Sequence, residues 1–345
     1  MKTLPMIPTQ GALAQLDPDR IAALHAEIRS LAAERDATIL AHNYQVPEVQ
    51  QIADYVGDSL GLSRQAAATD SDTIVFCGVH FMAETASILC PQKTVLIPDL
   101  DAGCSLAASI DAEQLRDWKR TYPDGVVVMY VNTTAEVKAL TDYCCTSANA
   151  VEVVRHVYET HGADTEILFG PDMWLGAFVE KELGKPMHVW DGECHVHAGI
   201  RQADIEATRA AHPGADFLIH PECGCTTSVM EYVAAGDISA EGVHMLSTGG
   251  MLRYAGEAER AADAQPGRRF EAVVATETGM LYPLEMAAPD VDFIPANPDA
   301  SCVYMKMITL EKLRDSLRDG QFEVRVPPEL AARARVPIDR MVALG

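Results

Sequence analysis

Residues Asp191 to Ile200 read D-G-E-C-H-V-H-A-G-I and set one thiol, Cys194, beside two imidazoles, His195 and His197. Thiolate and imidazole are the side chains that bind soft and borderline metals most readily. Two more cysteines stand in comparable turns, Cys104 in D-A-G-C-S-L-A and Cys302 in D-A-S-C-V-Y-M. One thiolate from each of three corners could hold a metal centre with an open position. On a [4Fe–4S] cube that leaves one iron able to bind substrate as a Lewis acid, and on zinc it leaves a place for water. No C-x-x-C pair is present, so spacing alone does not demand a metal. The plainer reading is buried, inert cysteine. It comes first for Cys77 and Cys90, which lie in apolar segments, while Cys144 and Cys145 are adjacent and ill placed to share one ion. Cys223 and Cys225, on the polar turn H-P-E-C-G-C-T-T, are the rival ligands.

Acid–base candidates follow three short apolar runs: His42-Asn43-Tyr44, Tyr130-Val131-Asn132-Thr133 and His220-Pro221-Glu222. A lone histidine is more often a satisfied structural group, but His42 and His220 recur at equivalent strand ends. Glu222 beside His220 makes an acid–base pair, and His197 sits three residues after Cys194. Three polar clusters, Asp58-Ser59, Thr146-Ser147 and Ser247-Thr248-Gly249-Gly250, each precede a predicted helix. A helix N-terminus offers unpaired N–H groups and a positive dipole end, and a hydroxyl adds a donor, so three such corners could hold phosphate and carboxylates. Simple helix capping explains any one of them as well.

The elements that must position these residues are legible as a rhythm of apolar strands and amphipathic helices, the pattern of βα units and parallel sheets. The rhythm repeats three times. Its opening strands are Thr38–His42, Val126–Val131 and Phe217–His220, and His42, Val131 and His220 are evenly spaced along the chain. Each is followed by a turn, a helix, a polar cluster, a second strand and helix, and finally a cysteine: Cys104, Cys194 and Cys302. The third repeat is longer, and the excess is assigned to a loop around Gly256–Arg269. The repeats span residues 18–110, 111–197 and 198–302, with 303–345 joined to the first. A helix is expected over Arg20–Arg35, where Ile21, Leu24, Ile28 and Leu31 share a face, and another over Met305–Leu317. Residues 1–17 read as a loose arm, and 318–345 as short pieces on the surface. The expected architecture is α/β: three similar αβα-sandwich domains with short parallel sheets around a pseudo-threefold axis. Strand C-terminal ends would then converge on one site at their junction.

Composition narrows the partners. The chain has 345 residues, with 27 basic against 50 acidic, a net charge of -23 that repels a phosphate backbone and argues against nucleic acid. Hydrophobic content of 48% and charged content of 22% suit a soluble enzyme. No stretch approaches a membrane span, and the start M-K-T-L-P-M-I-P-T-Q lacks a signal-peptide core, so the cytoplasm is the expected compartment. Nine cysteines without an export signal point to metal, catalysis or burial rather than a disulfide framework.

Taken together, A-H-N-Y-Q, D-Y-V-G-D-S, F-C-G-V-H-F-M-A-E-T-A, D-A-G-C-S-L-A, Y-V-N-T, T-S-A-N-A, H-P-E-C and S-T-G-G-M resemble the quinolinate synthase (NadA-type) family, from about residue 37 to 310. The resemblance implies a [4Fe–4S] cluster on Cys104, Cys194 and Cys302. It implies condensation of iminoaspartate with dihydroxyacetone phosphate to quinolinate, with loss of phosphate and two waters, in NAD biosynthesis. It carries site roles to His42, Tyr44, Asp58, Ser59, Tyr130, Asn132, Ser147, His197, His220, Glu222, Ser247 and Thr248. Of these, Tyr44, Tyr130, Glu222 and His197 would be catalytic, and all but Tyr44 would bind substrate. L-aspartate oxidase or aspartate dehydrogenase is the implied supplier of iminoaspartate. Some members carry C-x-x-C-x-x-C near the third ligand; here S-C-V-Y-M-K offers Cys302 alone, which puts a disulfide switch there in doubt. A zinc-dependent lyase or aldolase on the same fold, and a non-enzymatic cluster-based sensor, are the competing readings.

Overall fold

The computed structural model describes residues 17–235, 241–265 and 267–345. The arm expected over residues 1–17 lies, apart from Asp17, outside them. The chain is α/β with three four-stranded parallel sheets. The first contains β1 (Ala37–His42), β2 (Tyr55–Gly57), β3 (Thr73–Cys77) and β4 (Thr94–Leu96), ordered β2-β1-β3-β4. The second contains β5 (Val126–Tyr130), β6 (Tyr143–Cys145), β7 (Ile167–Gly170) and β8 (His188–Val189), ordered β6-β5-β7-β8. The third contains β9 (Asp216–Ile219), β10 (Val243–Met245), β11 (Phe270–Ala275) and β12 (Val291–Pro295), ordered β10-β9-β11-β12. The strand order is the same each time. The two central strands of each sheet are the ones the apolar runs mark. The outer strand preceding the polar cluster, three residues long in every sheet, is too short to show a period and merges in sequence with the tail of the expected helix.

The central strands are mostly apolar because both faces are covered. Every residue of β3, β5 and β7 is buried, and β1 is buried from Thr38 onward. Backbone pairing holds the register, as in Thr38 opposite Ile74 and Phe217 opposite Val273. A single glycine lets one flanking helix close on its sheet: a Cβ on Gly176 would sit 2.5 Å from Val189 Cγ1. Among the described residues no helix is long and apolar enough to cross a membrane.

By contact density the chain forms two compact units. The first comprises the described part of Met1–Thr121, with Val131–Cys144 and Cys302–Ala343; the second comprises Tyr122–Tyr130, Cys145–Ser301 and Leu344–Gly345. In the first unit the helix Pro18–Glu34, capped by Asp17, packs on the helix Leu310–Asp319. Three expectations change. The segment 318–345 is not a set of surface pieces: it includes the helix Pro328–Ala343, whose Ala334, Ile338 and Met341 are fully buried against the helices Ala135–Lys138, His80–Leu89 and Ser59–Ala68. The helix expected over Met305–Leu317 is split into a 3-10 turn, Met305–Met307, and Leu310–Asp319, because Thr309 caps the second piece through the Lys312 N–H. The excess length of the third repeat is mainly helix rather than loop, since Thr248–Asp263 runs through the first half of that stretch. Its apolar spacing (Met251, Ala255, Ala258, Ala262) is carried largely by alanine, a weak hydrophobic signal.

Ile338→Ala should therefore cost about 2 to 4 kcal/mol of stability, as cavities in packed cores do, while exposed Arg333→Ala should stay within about 0.5 kcal/mol. Denaturant midpoints of the two variants decide it, and equal midpoints would mean that the last helix is not docked.

Candidate active site

In the second unit, β9 ends at Ile219 and its register is extended one residue by His220, whose N–H bonds Ala275 O of β11 at 3.1 Å. The next two residues turn back, so that the Glu222 N–H donates to His220 Nδ1 at 3.4 Å. A nitrogen that accepts cannot carry the proton, so neutral His220 is protonated on Nε2, which lies 3.1 Å from Ser147 Oγ. The hydroxyl takes that N–H and keeps its own proton to give. The His197 ring stacks on His220 with centroids 4.7 Å apart. Its Nδ1 is 3.1 Å from Glu222 Oε2, at an angle too bent for a full hydrogen bond, and its Nε2 is 2.9 Å from Thr276 Oγ1. His220 Nδ1 lies 3.4 Å from the same carboxyl oxygen. His197, His220 and Glu222 are each 3% exposed or less. Tyr130, the last residue of β5, reaches Glu222 with its phenol.

Burial decides the charges. It pushes Glu222 well above the usual carboxylate range; the nearby Asp172 adds to this, and the Tyr130 hydrogen bond opposes it. Burial, with His195 as a second cause, lowers His197 to about 3, so its ring is neutral. Among the described residues no lysine or arginine pairs with Glu222, so no cation offsets the burial that favours its protonated form.

The Cys194 turn is held by a residue that motif reasoning misses. Asp172 caps the helix Met173–Leu183 through the Leu175 N–H at 2.7 Å, and its carboxyl also receives the Cys194 N–H. Burial raises Asp172 to about 7, against those backbone donors. The signal is present in G-P-D-M-W-L, an aspartate in N-cap position. Thr276, the first residue after β11, escapes as well; the strand-end rule points to it when applied to second strands as well as opening ones. Ser247 caps the helix Thr248–Asp263 through the Gly250 N–H, and Thr248 opens that helix.

In the first unit, the β1 turn repeats the device of the β9 turn. The Tyr44 N–H donates to His42 Nδ1 at 3.1 Å, and the two rings meet edge to face at 4.6 Å. Asn43 N–H bonds Gly57 O, anchoring the turn to β2. Asp58 caps the helix Ser59–Ala68 through the Gly61 N–H at 2.7 Å. Asn132 follows β5, and its buried Oδ1 has no hydrogen-bond partner among the described residues, an acceptor open to a ligand. The same turn is braced by Lys138, fully buried, which donates to Thr133 O and sits 5.3 Å over the Phe81 ring. Cys104 lies in a loop tied down by His80 N–H to Ala102 O at 2.8 Å. Cys104 and Cys302 share a neighbour, Tyr304, whose phenol is raised first by burial and then by these two thiols.

The cysteines sort by environment. Cys77, Cys90, Cys144 and Cys145 are buried, and desolvation drives Cys77 far above the thiol range and Cys144 to about 12, which keeps them inert. Cys104, Cys194 and Cys302 are only partly buried. The rivals Cys223 and Cys225 are joined to each other in a disulfide, Cα atoms 5.2 Å apart. This is a local staple rather than a framework, and it removes both as ligands. These three thiols stand on separate turns, each in the partly exposed setting that a reactive or metal-binding thiol needs.

A family model described as quinolinate synthetase A protein matches residues 26–343. Quinolinate synthase of Mycobacterium tuberculosis is 56% identical over 321 residues, 93% of this chain and 88% of that protein. Quinolinate synthase of Thermus thermophilus is 55% identical over 323 residues, 94% and 98% respectively.

The raised Glu222 acid has a signature in stability. A carboxyl whose folded pKa lies above its unfolded value of about 4.3 favours the fold below that pH, and this contribution is lost as pH rises towards the folded pKa. Melting temperatures of wild type and Glu222→Gln, followed from acid to mildly alkaline pH, should diverge, with wild type losing ground as pH rises. Parallel curves would show that Glu222 is not held protonated.

Proposed function

Because the chain belongs to the quinolinate synthetase A family, we propose that it condenses iminoaspartate with dihydroxyacetone phosphate, releasing phosphate and two waters. That it is an enzyme, a quinolinate synthase of NAD biosynthesis, rests on the family and on relatives 55–56% identical over nearly the whole chain. The observation that carries the finer reading is Glu222, a carboxyl buried with two imidazoles and a phenol, where burial favours its protonated form. Loss of hydroxyl as water needs a proton donor at the leaving oxygen, and imine formation needs a group to shuttle protons. Glu222 and Tyr130 fill these roles, with Tyr44 as a further proton carrier and His197 in contact with the acid.

Substrate anions are held without net positive charge. Ser147, its hydroxyl proton left available by His220, and Thr248 at a helix start bind phosphate or carboxylate oxygens. Ser59 and Asn132 take carboxylates, His42 presents an Nε2–H donor, and His220 acts through the Ser147 hydroxyl that its Nε2–H holds. Asp58 and Ser247 shape the same corners by capping. Cys104, Cys194 and Cys302 would hold a [4Fe–4S] cluster, supported by their partial burial against the inert remainder. When bound, that cluster supplies a Lewis-acidic iron to a substrate oxygen. The repeats are taken as residues 18–110, with 303–345, then 111–197 and 198–302. A cytoplasmic enzyme of this kind needs an amino-acid-oxidising partner such as L-aspartate oxidase or aspartate dehydrogenase.

Anaerobic purification of wild type should give about four irons and four sulfides per chain, and Cys194→Ala should lose them. Zinc without sulfide would favour a lyase or aldolase instead. Glu222→Gln should keep the iron and sulfide and lose nearly all turnover of iminoaspartate and dihydroxyacetone phosphate. Turnover within a few-fold of wild type would remove Glu222 as the acid.

A further inference from the structure

We infer that Thr276 is a positioning residue for the acid chemistry of Glu222: its hydroxyl fixes which nitrogen of His197 carries the proton, and thereby keeps Glu222 in the form that can donate. The inference rests on the reading of Glu222 as an acid. It concerns a residue to which neither the motifs nor that reading give a part.

Thr276 is 1% exposed and follows β11 directly, so its backbone is fixed by the sheet. Its Oγ1 lies 2.9 Å from His197 Nε2, on the side of the ring away from Glu222. The imidazole therefore lies between a hydroxyl at Nε2 and a carboxyl at Nδ1. A neutral imidazole has one N–H, and two arrangements are open. With the proton on Nδ1, the ring would offer a donor to Glu222 and stabilise the ionised carboxylate. With the proton on Nε2, the ring donates to Thr276 Oγ1, and the Nδ1 lone pair faces the carboxyl and can accept its O–H.

The surroundings select the second arrangement. Glu222 faces Asp172 from the cap of the helix Met173–Leu183, Tyr130 from β5, His220 from its own turn and His197 from the turn after Cys194; His197 in turn faces His195. No cation is among these groups, so the ionised carboxylate is the costly state. His220 is not available as the acceptor, because its Nδ1 already receives the Glu222 backbone N–H. That leaves His197 Nδ1, 3.1 Å from Oε2, as the acceptor for the acid proton. The contact is bent, as catalytic hydrogen bonds often are before substrate tightens them. A hydroxyl accepts as readily as it donates, and Thr276 completes the line from Glu222 O–H to His197 Nδ1 and from His197 Nε2–H to Thr276 Oγ1.

Thr276→Val keeps the shape and removes the acceptor. His197 should then shift its proton to Nδ1, which favours ionised Glu222. The alkaline limb of the kcat/KM profile should move to lower pH, with a fall of roughly tenfold to a hundredfold near neutrality. Thr276→Ser keeps the hydroxyl and should restore both the limb and most of the rate. A valine variant with an unmoved limb, whatever its activity, or a serine variant that fails to rescue, overturns the inference. Nitrogen-15 spectra of histidine-labelled wild type without cluster provide a test that needs neither turnover nor the valine variant. The His197 signals, assigned by their loss in His197→Gln, should report an Nε2–H ring, and an Nδ1–H ring overturns the inference. The iron and sulfide counts and the Glu222→Gln turnover bear on the enzyme reading separately, so the two can fail independently.

Discussion

A parallel strand covered on both faces can present chemistry only at its end. In the buried stretches of β1, β5 and β9 the side chains are committed to packing on one layer or the other, and a charged group there would be buried without a partner. The first position released from that demand is the C-terminal one. His42, Tyr130 and His220 stand there or one residue beyond, and each leads a turn that carries another polar candidate. The turns inherit the rigidity of the strands. At both histidines the backbone N–H two residues on bonds the ring Nδ1, so sheet, turn and imidazole form one fixed object that leaves Nε2 as the donor.

The electrostatic consequence is a site that works by neutral groups. With an overall charge of -23, long-range attraction is not what brings anions in. Oriented N–H and O–H donors at helix starts and strand ends are the groups proposed to do the local work instead. Excluding lysine and arginine from the surroundings of Glu222 has a second effect. A cation there would lower the carboxyl's pKa and leave it an ionised, weak base; without one, burial and Asp172 favour its protonated form.

Much of this is legible in the amino-acid sequence. The strand and helix alternation, the three like strand ends and the turn residues of the site all follow from residue type and spacing. What escapes does so for specific reasons. The three-residue outer strands show no period. The helix Thr248–Asp263 packs mostly through alanines, so its charged face dominates the pattern. The helix Pro328–Ala343 hides behind its two prolines, one at its first position, where proline is tolerated. Asp172 and Thr276 act through other residues, and a group that acts at second hand carries no motif. The Cys223–Cys225 pair is a choice between two chemistries that spacing allows equally.

The docking of the helix Pro328–Ala343 within the first unit bears on how the chain is made. The unit that holds β1 to β4 is completed by a helix that leaves the ribosome long after that sheet. At about 5 to 20 residues per second, the surfaces of the helices Ser59–Ala68 and His80–Leu89 that await it stay uncovered for tens of seconds. Over that interval the nascent chain carries a finished sheet with an unfinished coat. A holding chaperone, rather than a faster folding step, is the natural protection for such an intermediate, and a ribosome stalled before Pro328 would release a product whose first unit cannot close.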